Sequence, residues 1–130
     1  MNEDQKRIRN TILFSKSVSS PLQCQSNRID WIERLLNKPL DDFRKYCITF
    51  ILVPYLINIK KLPYHEAFDI IKRWVDKCNY IHRLNFDGKW RIKYDLKRAK
   101  NFKPISLHKL KNDEFGRLLY VLLQKEGITH

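Results

Sequence analysis

The stretch 42–61, DFRKYCITFILVPYLINIKK, decides the fold class of this chain. Its twelve residues from Ile48 to Ile59 are almost all apolar, with Pro54 near the middle and a pair of basic residues close to either end. A membrane-spanning helix needs about 20 consecutive apolar residues, so this run is too short to cross a bilayer. It also lies too far inside the chain to be a signal peptide. The stretch is therefore predicted to be a core element of a folded domain.

Within this stretch the apolar residues recur at the three-four spacing of a helix with one buried face. The stripe that follows Asp41, the predicted N-cap, consists of Phe43, Tyr46, Cys47, Phe50 and Ile51. Pro54 lacks an N–H and is predicted to end or kink the helix, with residues 55–59 continuing beyond the kink.

Three further segments have a clear helical pattern. Apolar residues at 29–36 predict a short helix, and HEAFDIIKRWVDKC at 65–78 predicts a longer one opened by Pro63. The last helix is predicted between Asp113 as a cap and Gly127 as a stop.

Residues 84–100 fit two structures. In KWRIKYDLK the apolar residues alternate, which is the period of a strand, and Asp87-Gly88 would then form a hairpin turn. Ile92, Leu96 and Ala99 also fit a helix that Asp87 caps. The pattern alone leaves both open.

Charge is the strongest compositional feature of the 130 residues, with 26 Lys and Arg against 14 Asp and Glu and a net charge of +12. Residues 81–112 contain ten of the cations and only two acids. This concentration indicates a polyanionic partner, namely nucleic acid, nucleotide phosphates or an anionic lipid surface. A solvated basic surface without a partner is the alternative.

The sequence offers little for catalysis or for a metal site. Nucleotidyl transfer needs spaced carboxylates that hold two metal ions, whereas Asp41 and Asp42 are adjacent and diverge by about 100° on a helix. Cys78 and His82 are four residues apart, but a zinc site needs about four ligands. The three glycines form no phosphate-binding loop, and the three cysteines are expected to be reduced thiols of a cytoplasmic protein.

The segments WIERLL, PYLINIKKL, IIKRWVDKC and KPISLHKL carry a resemblance to the archaeal primase accessory subunit X, over residues 29–110. The resemblance implies a non-catalytic helical subunit that works with a small catalytic subunit and a large subunit. That family is similar to the C-terminal domain of the large subunit without its iron–sulfur cluster. Three cysteines cannot supply the four thiolates of a cluster, and Ser106 and Leu107 stand where a cluster cysteine is expected.

The resemblance favours a helix over residues 88–100. The expected fold is therefore all-α, a compact single-domain bundle of about five helices over residues 27–126, with a tail or marginal helix at residues 1–26. One core is expected to contain Phe43, Cys47, Phe50, Phe68, Ile71, Trp74, Leu118 and Leu122.

The implied function is the start of RNA primer synthesis. The subunit would bind the initiating 5′ nucleoside triphosphate, ATP or GTP with Mg²⁺ or Mn²⁺, together with single-stranded DNA template. No permanently bound cofactor is expected. Arg44 and Lys60 are expected to contact phosphate, and Asn58 replaces a lysine that the large-subunit domain places near the triphosphate. The full set of binding residues predicted in this way is Arg44, Asn58, Lys60, Lys61, Arg73, Arg91, Lys93, Tyr94 and Lys97.

Two alternatives remain open at this point. The domain could be a helix-turn-helix type of DNA-binding module that does not respond to nucleotides. It could also be an assembly subunit whose basic surface binds an acidic partner. Neither alternative is an enzyme, and neither requires a membrane.

Overall fold

A computed structural model of the protein describes residues 30–100 and 102–129. Residues Trp31–His130 form one compact unit. No β-strand is found among the described residues, so the all-α prediction is confirmed. The tail predicted for residues 1–26 lies outside the described residues. Six helices follow one another in the described part: α1 (described over residues 30–36), α2 (residues 44–59), α3 (Tyr64–Ile81), α4 (Gly88–Arg98), α5 (Leu107–Asn112) and α6 (Gly116–Lys125).

Helix α2 continues through Pro54, so of the two predicted effects of the proline the ending of the helix does not occur, and the predicted continuation over residues 55–59 is confirmed. The helix begins with the α-helical segment Arg44–Cys47 and contains two π-helical segments, Ile48–Leu52 and Tyr55–Ile59, with α-helical Val53 and Pro54 between them. Because Pro54 has no N–H, the carbonyl four residues earlier, that of Phe50, lacks its α-helical donor. That oxygen accepts a hydrogen bond from the Ile105 backbone N–H at 3.0 Å. The proline thereby leaves a carbonyl of α2 available for a hydrogen bond with the segment before α5.

Both ends of α2 use left-handed backbone at residues other than glycine. The N-cap is Phe43, with φ 58°, so the prediction of Asp41 as N-cap is wrong. The neighbouring Asp42 carboxylate accepts a hydrogen bond from the Phe43 N–H at 2.7 Å. At the other end Lys61 has φ 59°, and the Leu62 N–H donates back to the Leu56 carbonyl at 3.0 Å. This geometry closes the C-terminus of the helix.

The segment that fitted two structures is helix α4, and the hairpin alternative is wrong. The Asp87 side chain caps the helix by accepting a hydrogen bond from the Trp90 N–H at 3.0 Å. Gly88 lies against α3, where a Cβ atom at this position would be only 2.8 Å from Val75 Cγ1. Absence of a side chain at Gly88 therefore allows α4 to begin in close contact with α3.

The core lies between α1, α2 and α3 and extends to Ile92 of α4 and to α6. Its largest fully buried side chains include Trp31, Ile32, Leu35, Ile48, Ile51, Leu52, Tyr55, Leu56, Ile71 and Trp74. Of the eight residues predicted for the core, Cys47, Ile71 and Trp74 are buried, whereas Phe50 and Leu118 are 49% and 59% exposed and were predicted wrongly. The other three, Phe43, Phe68 and Leu122, are half-buried. In the described part of the chain no helix has the length and apolar content that a bilayer span requires.

Candidate functional site

A cavity of about 1010 Å³ opens beside the first turns of α2, and we call it the α2 cavity. Its lining comes from the segment before α2, from α2 itself, from the loop after α3, from Arg91 of α4 and from Phe115, the N-cap of α6. Five of these residues are aromatic: Phe43, Tyr46, Phe50, Phe86 and Phe115. Four are cations: Arg44, Lys45, Arg83 and Arg91. The cavity therefore offers an apolar wall and positive charge in one place.

The aromatic wall is formed by rings that contact one another. The Phe115 ring centroid lies 5.5 Å from those of Phe43 and Tyr46, and Tyr46 lies 4.8 Å from Phe50. Phe50 and Phe115 are about half exposed. Burial, with a smaller contribution from Asp113, raises the pKa of Tyr46, so its hydroxyl stays protonated at neutral pH. The rings are tilted relative to one another, by 45–61°. An exposed aromatic ring of such a cluster can stack a nucleobase with little sequence preference.

Arg44 is the most buried cation of the cavity, at 6% exposure. It donates hydrogen bonds to four backbone carbonyls, and their distances are 2.8 Å to His82, 3.1 Å to Arg83, 3.3 Å to Cys78 and 3.4 Å to Leu40. The bonds to His82 and Arg83 satisfy carbonyls that follow the last residue of α3 and lack helical donors. The bonds to Cys78 and Leu40 join the end of α3 to the segment before α2. Arg44 thus holds the loop at residues 82–86, which brings Arg83, Asn85 and Phe86 to the cavity.

Lys45 and Arg83 are the exposed cations of the same cavity. Neither forms an ion pair with another described residue. Their charges therefore remain available to an anion in the cavity. Asp41 and Asp42, both exposed, form part of the lining.

Arg91 connects the α2 cavity with the outer surface of α4. Its guanidinium Nη1 lies 3.4 Å from the buried carboxylate of Asp95, which also accepts a hydrogen bond from Thr49 Oγ1 at 2.5 Å. The same guanidinium lies 5.3 Å from the Trp90 ring centroid and 5.5 Å from that of Tyr94. Asp95 therefore holds Arg91 between the cavity and these two rings.

A second depression, of about 440 Å³, lies on α4 and is lined by Trp90, Lys93, Tyr94, Lys97 and Arg98, which we call the α4 patch. The Trp90 and Tyr94 rings have centroids 4.9 Å apart and an interplanar angle of 41°. The Arg98 guanidinium lies 5.1 Å from the Tyr94 centroid. The patch brings together three of the predicted binding residues, Lys93, Tyr94 and Lys97.

Four of the predicted binding residues line neither the α2 cavity nor the α4 patch. Asn58 Nδ2 donates to the carbonyls of Ala99, at 2.5 Å, and Phe102, and so holds the chain after α4. Lys60 forms an ion pair with Glu33 at 3.2 Å. Lys61 and Arg73 are exposed. Contacts of these four residues with phosphate stay predictions.

Sequence reasoning did not identify Lys45, Arg83, Phe86, Trp90 and Arg98 as site residues. The signal available for Arg83 and Phe86 was the cluster IHRLNF at 81–86, directly after the strongest helix of the chain. Trp90 was visible as an aromatic residue within the most basic quarter of the sequence. The loop that Arg44 holds determines which of these side chains come together in the cavity. A local sequence pattern does not predict the geometry of that loop.

Cys47 and Cys78 are buried free thiols. Burial raises the pKa of both, and that of Cys78 to about 11, so both remain protonated at neutral pH. Cys78 Sγ accepts a hydrogen bond from the Leu40 N–H at 3.4 Å. Over residues 30–100 and 102–129, no group of three or more His, Cys, Asp or Glu side chains is arranged to hold a metal ion.

The fold and the site define a class of protein: a small helical domain with a cavity whose lining combines cations and aromatic rings, and a basic aromatic patch beside it. Comparison with known families gives a match. The family model of PriX, Primase X, matches residues 26–126, which are 101 of the 130 residues. The chain belongs to the Primase X family, and the resemblance inferred from sequence is confirmed. It is therefore a primase-related protein. None of the curated proteins matches the chain.

Proposed function

We propose that this chain is a non-catalytic subunit of a DNA primase that binds the initiating nucleoside triphosphate in the α2 cavity and holds it beside a single-stranded DNA template. Its partners would be the small catalytic subunit and the large subunit of the primase. The observation that carries the proposal is the lining of the α2 cavity, where the exposed cations Lys45 and Arg83 and the half-buried Arg91 face a wall of aromatic rings.

The chemistry of a nucleoside triphosphate matches this lining. Charge-assisted hydrogen bonds from lysine and arginine to phosphate oxygens are stronger than neutral ones, and aromatic rings stack the base. The cavity volume of about 1010 Å³ is at the upper end of ordinary ligand pockets, which measure about 300–1,000 Å³. Mg²⁺ or Mn²⁺ would arrive with the triphosphate as its counter-ion. The exposed carboxylates of Asp41 and Asp42 would accept hydrogen bonds from the ribose or the base.

The same cavity lining supports the proposal that this chain is non-catalytic. Two-metal nucleotidyl transfer needs carboxylates that converge on a pair of ions. The carboxylates in the lining are adjacent in the chain, and the Asp42 carboxylate already accepts the Phe43 N–H. We assign nucleotide holding to this chain and bond formation to the small subunit.

The test compares initiation with elongation in the reconstituted primase. The double variant Lys45→Ala/Arg83→Ala should reduce dinucleotide formation about a hundredfold or more, if each phosphate contact contributes about 1.5–3 kcal/mol and the two add. Extension of a pre-annealed primer should change little, since a primer removes the need for the initiating nucleotide. The control is Lys77→Ala/Lys109→Ala, which removes the same charge from exposed positions outside both cavities.

Equal losses in both reactions would indicate an assembly defect rather than loss of nucleotide binding. Unchanged initiation would refute the proposal for the α2 cavity. ATP titration of the isolated chain gives a direct second measurement. Tight binding of duplex DNA with no response to ATP would favour the helix-turn-helix alternative.

A further inference from the structure

The α4 patch differs from the α2 cavity in that all of its residues, including its two aromatic rings, lie on one helix. Trp90, Tyr94 and Arg98 are spaced four residues apart, and Lys93 and Lys97 are neighbours on the same side, so all five share a face of α4. We propose that this patch binds single-stranded nucleic acid, with a base stacked on Trp90 and Tyr94 and with the three cations on the phosphates. The inference deepens the proposed function, on which it rests, by giving the template a site of its own.

The exposure of Trp90 is the first argument for a ligand. Its indole is 56% exposed, although the other two tryptophans of the chain, Trp31 and Trp74, are 2% and 1% exposed. A pair of side chains four residues apart stabilises a helix by only about 0.2–0.5 kcal/mol. The contact with Tyr94 alone is therefore a weak reason to place an indole at the surface. Stacking of a base on the indole would account for its exposure.

The charge of α4 is the second argument, and it decides the class of ligand. The helix carries five cations and one acid, Asp95. That acid is 7% exposed and is engaged by Thr49 and Arg91. The exposed charge of the helix is thus entirely positive, which favours a polyanion over an ordinary protein surface. Stacking on Trp90 requires unpaired bases, which favours a single strand over a duplex.

Arg91 supplies the third argument, because it lines the α2 cavity and also lies within about 5.5 Å of both rings of the patch. A template base that pairs with an initiating nucleotide must lie next to that nucleotide. Since Arg91 lines the cavity and lies beside both rings, a base on the patch and a nucleotide in the cavity would both be near the same guanidinium group.

Tryptophan fluorescence tests the proposal directly, because a ligand on the patch acts on the exposed Trp90 rather than on the two buried indoles. Titration of the full chain with a short oligothymidylate, in the absence of nucleotide, should quench the emission. Trp90→Ala should weaken binding of a dye-labelled strand by about fivefold to a hundredfold, the loss expected when one stacked base is removed. Trp90→Phe should lose most of the quenching and retain much of the affinity. Tyr80→Ala, at a residue 91% exposed on α3, is the matched control and should bind normally.

Salt dependence tests the phosphate contacts. Each neutralised phosphate of a single strand contributes about −0.7 to the slope of log K against log salt. Lys93→Ala/Lys97→Ala should therefore flatten the slope by about 1.4, and Lys77→Ala/Lys109→Ala should leave it unchanged. Oligouridylate, titrated in parallel, shows whether the patch distinguishes RNA from DNA, and binding of either strand with quenching supports the proposal.

The proposal is overturned if the strand does not bind, if it binds without quenching, or if Trp90→Ala binds it as tightly as the unaltered chain. Quenching by an acidic polypeptide but not by the oligonucleotide would also overturn it, since the patch would then bind a protein. ATP titration of the same variants separates the two hypotheses. If ATP binds and the strand does not, only the patch assignment fails. If the strand binds and ATP does not, the nucleotide function of the α2 cavity fails and the patch stands.

Discussion

Replacement of Arg44 by alanine should destabilise the domain and weaken nucleotide binding through the loop at residues 82–86. Of the four carbonyls that Arg44 contacts, those of His82 and Arg83 have well-formed bonds, at 2.8 and 3.1 Å. Hydrogen bonds to a charged group contribute about 1.5–3 kcal/mol each, so their loss should cost about 3–6 kcal/mol. Domains are stable by about 5–15 kcal/mol, so this is a large fraction of the total.

Arg44→Lys is the matched variant, because it keeps the charge but cannot reach all four carbonyls from one nitrogen. It should lose about half as much stability as Arg44→Ala. Chemical denaturation measures both losses, and hydrogen exchange should show the loop at residues 82–86 opening first. A loss below about 1 kcal/mol in Arg44→Ala would refute the carbonyl network. Weaker nucleotide binding at unchanged stability would instead make Arg44 a direct phosphate contact, as the family resemblance implied.

Three further outcomes are expected from the rest of the domain. Trp74→Ala should cost about 3–5 kcal/mol in chemical denaturation, because Trp74 is 1% exposed and its indole N–H donates to the Leu35 carbonyl at 2.9 Å; a loss below about 1 kcal/mol would contradict its burial. The pKa of Cys78 is raised from 9.0 to about 11, so above pH 9 the folded state keeps a proton that the unfolded chain releases. The stability contributed by this thiol is therefore fully present below pH 9 and should fall as the pH rises towards 11. Cys78→Ala should make that decline shallower, and an identical decline in the variant would exclude this thiol as its cause. Lys61→Gly should raise the melting temperature slightly, by the equivalent of up to about 1 kcal/mol, since glycine adopts the φ of 59° without strain. A fall would argue against the left-handed backbone at this residue, and a parallel ATP titration would show whether Lys61 also contacts phosphate.

The sequence predicted the helices better than it predicted which side chains they bury. Helix α3 was evident because its apolar residues keep the helical period over many turns, and α4 became evident through the family resemblance. The apolar stripe of α2 was only half right, since Cys47 and Ile51 are buried while Phe50 lines the cavity. Periodicity reports which residues share a face of one helix. Whether that face meets another helix or a cavity depends on distant segments, here Phe115 at the start of α6.

The same limit applies to charge, and Arg44 and Lys45 show why. Adjacent residues on a helix point about 100° apart, so one basic pair is divided between two environments. Arg44 turns inward to the carbonyls at the end of α3, and Lys45 faces the cavity exposed. Lys60 is likewise engaged by Glu33, whereas Arg83 reaches the cavity from a loop. Net charge therefore favours a polyanionic partner, and the cations best placed to bind it are those whose donors the fold leaves unused, such as Lys45 and Arg83. The buried Arg44 contributes indirectly, because its hydrogen bonds to backbone carbonyls position the loop that carries Arg83.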